Sequence, residues 1–333
     1  MKTAHQTFFL SVVLVLIIYG CSDLLVNEPE TNQNIRDFEV AWSIADQFYP
    51  FFEFKRINWD SLHSVYKPEA EMASGDEIYF VLYDMFRELK DGHIEINTDG
   101  GFPVATYLPP REGDRKSFSP TVVRKYFRAP LKLAGDNNID YEFVDDKTGY
   151  IHITTFKNGN WIRDFDRILD YFKSAAGLII DVRNNDGGNT VTSDYVISKF
   201  ISEPMVETFT FSDGSKQSWL IRPRGHFTFT QPVVILINGA SFSAAEGFPE
   251  LMRQLPNVTL VGDTTGGGGG GNNIFDLPSG KRLRIPIKYF TRLDGEMVEW
   301  NGVLPDVLVE QTATDVEQGR DKQLEYAIQL LTK

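Results

Sequence analysis

Residues 233–252 read VVILINGASFSAAEGFPELM, and this stretch decides the architecture. Its opening run, Val233 to Ile237, is apolar without alternation, the pattern of a strand covered on both faces. The run stops at Asn238-Gly239, a turn signal, and the amphipathic segment AAEGFPELMRQL restarts as a helix. Two serines, Ser241 and Ser243, sit on the turn. A hydroxyl there either caps the helix or attacks something. For Ser243, Glu246 three residues on completes a capping box. The same helix start, with its orphan N–H groups and dipole, equally favours a developing negative charge.

Working outward, AGLIIDVRNNDGG (176–188) is a second apolar strand running into a Gly-rich turn, and VTLVGDTT (258–265) is a third strand. TGYIHITTF (148–156) is a strand, while WIRDFDRILDYFKSA (161–175) and TVTSDYVISKFIS (190–202) are helical. Alternating strands and helices predict an α/β fold with a largely parallel sheet covered on both faces. Ligands bind at the C-terminal edge of such sheets, so the turns 183–188 and 238–243 can face each other. Upstream, Phe38 to Leu89 carries helical stripes, with Phe38, Trp42, Ala45, Phe48 and Tyr49 in one and Ile78, Leu82, Met85, Phe86 and Leu89 in another. INWDSLHSVYKPEA supplies a shorter helix between them. Residues 94–149 read as loops with short strands, and the glycine run 266–271 as mobile unless something orders it.

The chain begins MKTAHQTFFLSVVLVLIIYGCSDLL. A short basic start, an apolar run from Phe8 to Tyr19 and then Gly20-Cys21 predict a secretory leader. Its end resembles a bacterial lipobox, which implies cleavage before Cys21, lipid on that residue and attachment to the cell envelope, periplasmic or at the outer-membrane surface. The expected division is therefore a leader 1–20, a tether 21–34, a helical domain 35–93 and a core domain 94–333. Cys21 is the sole cysteine, so the remainder offers no disulfide, thiol nucleophile or Cys-based zinc site. A net charge of −13 argues against a nucleic-acid partner, which needs clustered Lys and Arg. No HExxH or other tidy metal-ligand set occurs, and no cofactor is expected.

A serine nucleophile needs a base, and there are five histidines. His5 lies in the leader, His63 in a helical run, His152 alternates within a strand and His226 sits in the basic loop RPRGHF. His93 follows Asp91-Gly92 at a helix end, just before the strand-like IEI, a joint from which a side chain can project into a cleft. Position alone leaves a structural role for it open.

Four segments in order, LKDGH (89–93), LIIDVRNNDGGN (178–189), VVILINGASFSAAE running on to LVGDTTGGGGGG, and EWNGVLPDVLVE (299–310), resemble one peptidase family. It contains the tricorn core protease, the C-terminal processing proteases and the repeats of interphotoreceptor retinoid-binding protein. The resemblance implies a ClpP/crotonase-like α/β core preceded by a small helical domain, and serine endopeptidase chemistry with Ser243 as nucleophile. One branch pairs the serine with a lysine, but the aligned position here is Gly268, and no lysine occurs between Ser243 and Lys281. The tricorn-like branch implies His93 as base and Glu299 as the supporting carboxylate, with Ala244 and Gly187, or alternatively Gly188, as oxyanion-hole N–H donors. Too few residues separate His93 from Tyr150 for a PDZ module of roughly 80–100 residues. The implied substrates are then peptides or unfolded chains entering an open cleft. The alternative implied by the retinoid-binding relatives is a catalytically silent binding protein. An α/β-hydrolase is excluded, because SFSAA is not G-x-S-x-G and no histidine follows Ser243.

Overall fold

The computed structural model describes residues 33–97, 104–108, 110–159 and 161–332. The expected leader, Cys21 and most of the tether lie outside these residues, whereas Gln33 and Asn34 already belong to the first helix. Four helices open the described chain: α1 (Gln33–Phe48), α2 (Phe52–Lys55), α3 (Trp59–Met72) and α4 (Glu77–Arg87). After them come β1 (Glu95–Asn97), β2 (Val104–Ala105), α5 (Pro120–Val123), β3 (Lys132–Ala134), β4 (Ile139–Phe143) and β5 (Thr148–Ile153). The central part runs α6 (Trp161–Tyr171), β6 (Gly177–Asp181), α7 (Thr190–Ile197), β7 (Met205–Phe211), β8 (Lys216–Ile221), β9 (Val233–Ile237), α8 (Ala244–Met252) and β10 (Val258–Gly262). The chain closes with β11 (Gly270–Asp276), β12 (Arg282–Tyr289), β13 (Val307–Leu308), α9 (Ala313–Glu317) and α10 (Lys322–Leu331).

Seven strands form the main sheet in the order β13-β10-β9-β6-β5-β4-β3. The pairs from β13 to β5 are parallel, and β4 and β3 extend the edge antiparallel. The apolar runs are explained by what covers each face. Leu178 and Ile180 of β6 pack with Phe165, Ile168 and Phe248 on one side, while Ile179 meets Val234, Leu236 and Leu324 on the other. Every residue of β6 and β9 is buried. The largely parallel α/β sheet read from the sequence is therefore the sheet observed.

A second, antiparallel sheet runs β2-β1-β12-β7-β8, with β11 also on β12. The helices α1–α4 do not close on themselves alone. Their core of Phe38, Ala45, Leu82 and Phe86 continues into Leu277, Leu283 and Ile285 around β12. The helical segment is thus fastened to the hairpin that follows the glycine run, and this brings residues 49–55 next to residues 89–93 and 299.

Candidate active site

The turns after β6 and β9 lie side by side because their strands are parallel neighbours. Asn185 ties them together: its carbonyl accepts from the Phe242 N–H at 3.0 Å, and its side chain bonds Ile153 O and the Gly187 N–H. A Cβ on Gly187 would fall 2.5 Å from Phe242 O and 2.7 Å from Ser243 Cβ, so only glycine permits this approach. The two serines separate here. Ser241 is fully buried, donates to Val182 O at 2.8 Å and accepts from the Asn238 N–H at 3.1 Å, which makes it a tie within the turn. Ser243 is half-buried, with φ 59° and ψ −122°, a region that non-glycine residues occupy only when the surroundings hold them there.

Glu246 supplies that hold. Fully buried, its carboxylate accepts from the N–H groups of Ser243, Gly267 and Gly268 at 2.9, 2.7 and 2.7 Å, and from Thr265 Oγ1 at 2.6 Å. The expected capping contact is present, and the same carboxylate orders the start of the glycine run. Burial raises its pKa, against the four donors that lower it. Gly268 itself has a steric reason to be glycine: a Cβ there would lie 2.2 Å from the Phe242 ring. Phe242 fills the space that a side chain at 268 would need.

His93 follows α4 and packs on the Phe242 ring, with centroids 4.6 Å apart. It is 2% exposed, and neither ring nitrogen has a hydrogen-bond partner. His93 and Ser243 nevertheless line one cavity of about 280 Å³, together with Phe242 and Gly188. A second cavity of about 730 Å³ also starts at Ser243 and Gly188 and runs along Gly270 and Gly271 to Phe209 and Phe290. Burial holds the His93 imidazole below its ordinary pKa, against the pull of Asp91. It is therefore neutral near pH 7 and able to accept a proton.

Glu299 is buried close by: single atoms of Asp91, His93 and Glu299 lie within 4.8 Å of one another. Its oxygens are engaged elsewhere, however. Oε1 pairs with Lys55 Nζ at 2.6 Å and Oε2 accepts from the Gly269 N–H at 3.2 Å, and Glu299 forms no ion pair with His93. Asp91 is the acid nearest the ring, with Oδ1 3.6 Å from Nδ1 and 2.9 Å from the His93 backbone nitrogen. Burial, and then the neighbouring Asp91, push Glu299 up to about 8. Asp91, although buried, is held well below the usual carboxylate range by Lys55. The Gly187 N–H donates to Asn185 Oδ1 at 2.8 Å, which leaves it no free direction for a substrate. The Gly188 and Ala244 N–H groups bond no other described residue.

Sequence reasoning thus missed Asp91 as a partner of His93, although it stands inside the quoted LKDGH, and it missed Lys55 and Phe242 altogether. A lysine within the aromatic run FYPFFEFK was the one available hint of a buried cation.

Two family models match the chain in order, the Tricorn protease C1 domain over residues 32–89 and Peptidase family S41 over residues 147–309. The chain thus resembles peptidase family S41 over residues 147–309. It is 27% identical over 197 residues to the carboxy-terminal processing protease CtpA of Bacillus subtilis, covering 54% of this chain and 42% of that one. It is 32% identical over 189 residues to tricorn protease homolog 1 of Streptomyces coelicolor, covering 55% and 17%. The chain spans half or less of the curated relatives it matches. A crystal structure from Parabacteroides merdae, of a protein assigned as a peptidase, superposes with a TM-score of 0.77 at 29% identity, covering 90% of this chain and 97% of that one. The S41 fold accounts for the parallel sheet, the preceding helices and the serine turn.

Proposed function

We propose that this chain is a serine endopeptidase cleaving peptides or unfolded proteins through an acyl-enzyme. One observation carries the reading: Ser243, in a strained conformation at the start of α8, shares a cavity with His93, whose ring nitrogens make no hydrogen bond. Ser243 Oγ attacks the peptide carbonyl while its proton passes to His93. His93 returns that proton to the leaving amine as the C–N bond breaks. Water then attacks the ester, again with His93 as base, and frees Ser243. The unbonded N–H groups of Ala244 and Gly188 receive the oxyanion, so Gly188 takes the place expected of Gly187. Glu299 supports the site through its contact with Lys55. An extended substrate passes Ser243 between the two cavities that meet there.

The test is labelling with a fluorophosphonate probe together with hydrolysis of an unfolded protein substrate. Wild type should label and cleave, Ser243→Ala should do neither, and His93→Ala should lose roughly 10³-fold or more in kcat/KM. Labelling that survives in Ser243→Ala overturns the assignment. A folded wild type that neither labels nor cleaves is the silent binding protein instead. We also propose that Cys21 carries the lipid anchor to the bacterial envelope. Metabolic labelling with a fatty acid should mark the wild type and not Cys21→Ser, and equal labelling of both defeats the proposal.

A further inference from the structure

His93 is expected to need a group that fixes its ring, and the residue before it, Gly92, has no side chain to offer. We propose that Asp91 and Lys55 are the positioning residues of His93, and that Glu299 acts on the site through Lys55 and not on the ring. This rests on the serine peptidase reading above.

Lys55 joins the two acids in a chain of contacts away from water. Lys55, the last residue of α2, donates to Tyr49 Oη at 2.8 Å and to Leu89 O at 3.0 Å, and pairs with Glu299 Oε1 at 2.6 Å and Asp91 Oδ2 at 3.4 Å. Tyr49 in turn donates to Asp91 Oδ2 at 2.9 Å. The Lys55 and Asp91 side chains are completely excluded from solvent, and that of Glu299 is 2% exposed. One oxygen of Asp91 is therefore saturated by Tyr49 and Lys55. The other accepts the His93 N–H and faces Nδ1 at 3.6 Å.

An acceptor on that side selects the tautomer protonated at Nδ1, which leaves the Nε2 lone pair for the serine proton. A separation of 3.6 Å is longer than a hydrogen bond, and it is the kind of loose resting contact that tightens as the ring gains charge. Phe242 bounds one face of the ring. Two carboxylates share one ammonium here, so one negative charge is in surplus. Asp91, with three donors, is the one built to keep it, and Glu299, with burial against it, is the one that holds a proton.

The experiment uses the full chain carrying Ser243→Ala, with ¹⁵N-labelled histidine, and follows the His93 ring by NMR against pH. The charged and titratable groups facing that ring are Asp91, Lys55, Glu299 and, from β12, Arg284. Asp91→Asn removes the group that raises the His93 pKa, so the titration should move down by about one unit or more. In the Ser243 background kcat/KM should fall on the order of 10²-fold or more. The paired variant Lys55→Met with Glu299→Gln removes the facing cation and one acid together, keeping the fold where a single change could fail. Its His93 titration should move up, the opposite sign.

A merely structural role for these residues moves neither titration. If Asp91→Asn leaves the His93 titration and kcat/KM unchanged within about twofold, or if both variants shift it the same way, the positioning roles are wrong. If the shifts appear as stated while wild type cleaves nothing, the peptidase reading fails and the positioning roles stand.

Discussion

Ser241 and Ser243 are chemically identical and two residues apart, and their surroundings assign them different work. Ser241→Ala leaves the Asn238 N–H without its buried acceptor, while Val182 O keeps the Asn185 N–H, and this costs about 1–3 kcal/mol. Its urea midpoint should drop while fluorophosphonate labelling persists, and labelling lost from a folded Ser241→Ala protein contradicts the division of roles. Gly268 is fixed by Phe242: Gly268→Lys should not create a Ser–Lys pair but should destabilise the turn, because its Cβ meets the ring at 2.2 Å. Glu299 sets a pH dependence. Its folded pKa of about 8 lies above the ordinary 4.5, so its stabilising contribution is complete below pH 4.5 and is lost as pH rises through about 8. For His93 the folded value is depressed, so its contribution is complete above its ordinary 6.5 and is lost as pH falls below that. A plot of Tm against pH should decline on the alkaline side in wild type and flatten there in Glu299→Gln. An unchanged alkaline slope would mean that Glu299 is already ionised in the native state.

At the scale of elements, the site depends on how two strand-to-helix turns and one glycine run are held together. β6 and β9 were readable from their apolar runs, because a strand covered on both faces leaves no room for polar alternation. The serine turn and its Glu246 cap were readable as well, since capping is a local pattern. The order in residues 266–269 was not. It comes from Glu246 and Glu299, which accept from Gly267, Gly268 and Gly269, and from backbone bonds to Ser241, Phe290 and Trp300, and such contacts leave no periodic trace in a sequence. Glu246→Ala strands the N–H groups of Ser243, Gly267 and Gly268 at once, at roughly 1–3 kcal/mol each before relaxation. Amide exchange at residues 265–269 should accelerate by at least the factor seen globally. Exchange there that stays slow while the rest of the protein loosens would show that the backbone bonds of Gly266, Gly267 and Gly269 hold the loop without Glu246.

Over the whole molecule, the last helix, α10, is fastened to the candidate-site edge of the sheet by buried charge. Arg183, fully buried just past β6, pairs with Asp181 at 2.6 Å and Asp321 at 2.8 Å, and stacks on Phe118 at 4.5 Å. Arg183→Ala leaves two acids uncompensated and should cost about 3–5 kcal/mol in chemical denaturation. A loss below about 1 kcal/mol would mean that water enters and replaces the guanidinium. The sequence by itself determined the succession of central strands and helices along the chain, the helix start beneath Ser243 and the joint that carries His93, because each is set by spacing, propensity or turn chemistry within a few residues. Only the tertiary structure decided that Asp91 faces His93, that Lys55 stands between Asp91 and Glu299, and that Gly188 rather than Gly187 has an N–H to spare. Those facts depend on which buried charges meet once water is excluded, and partners up to 244 positions apart, as Lys55 and Glu299 are, meet only in the folded chain.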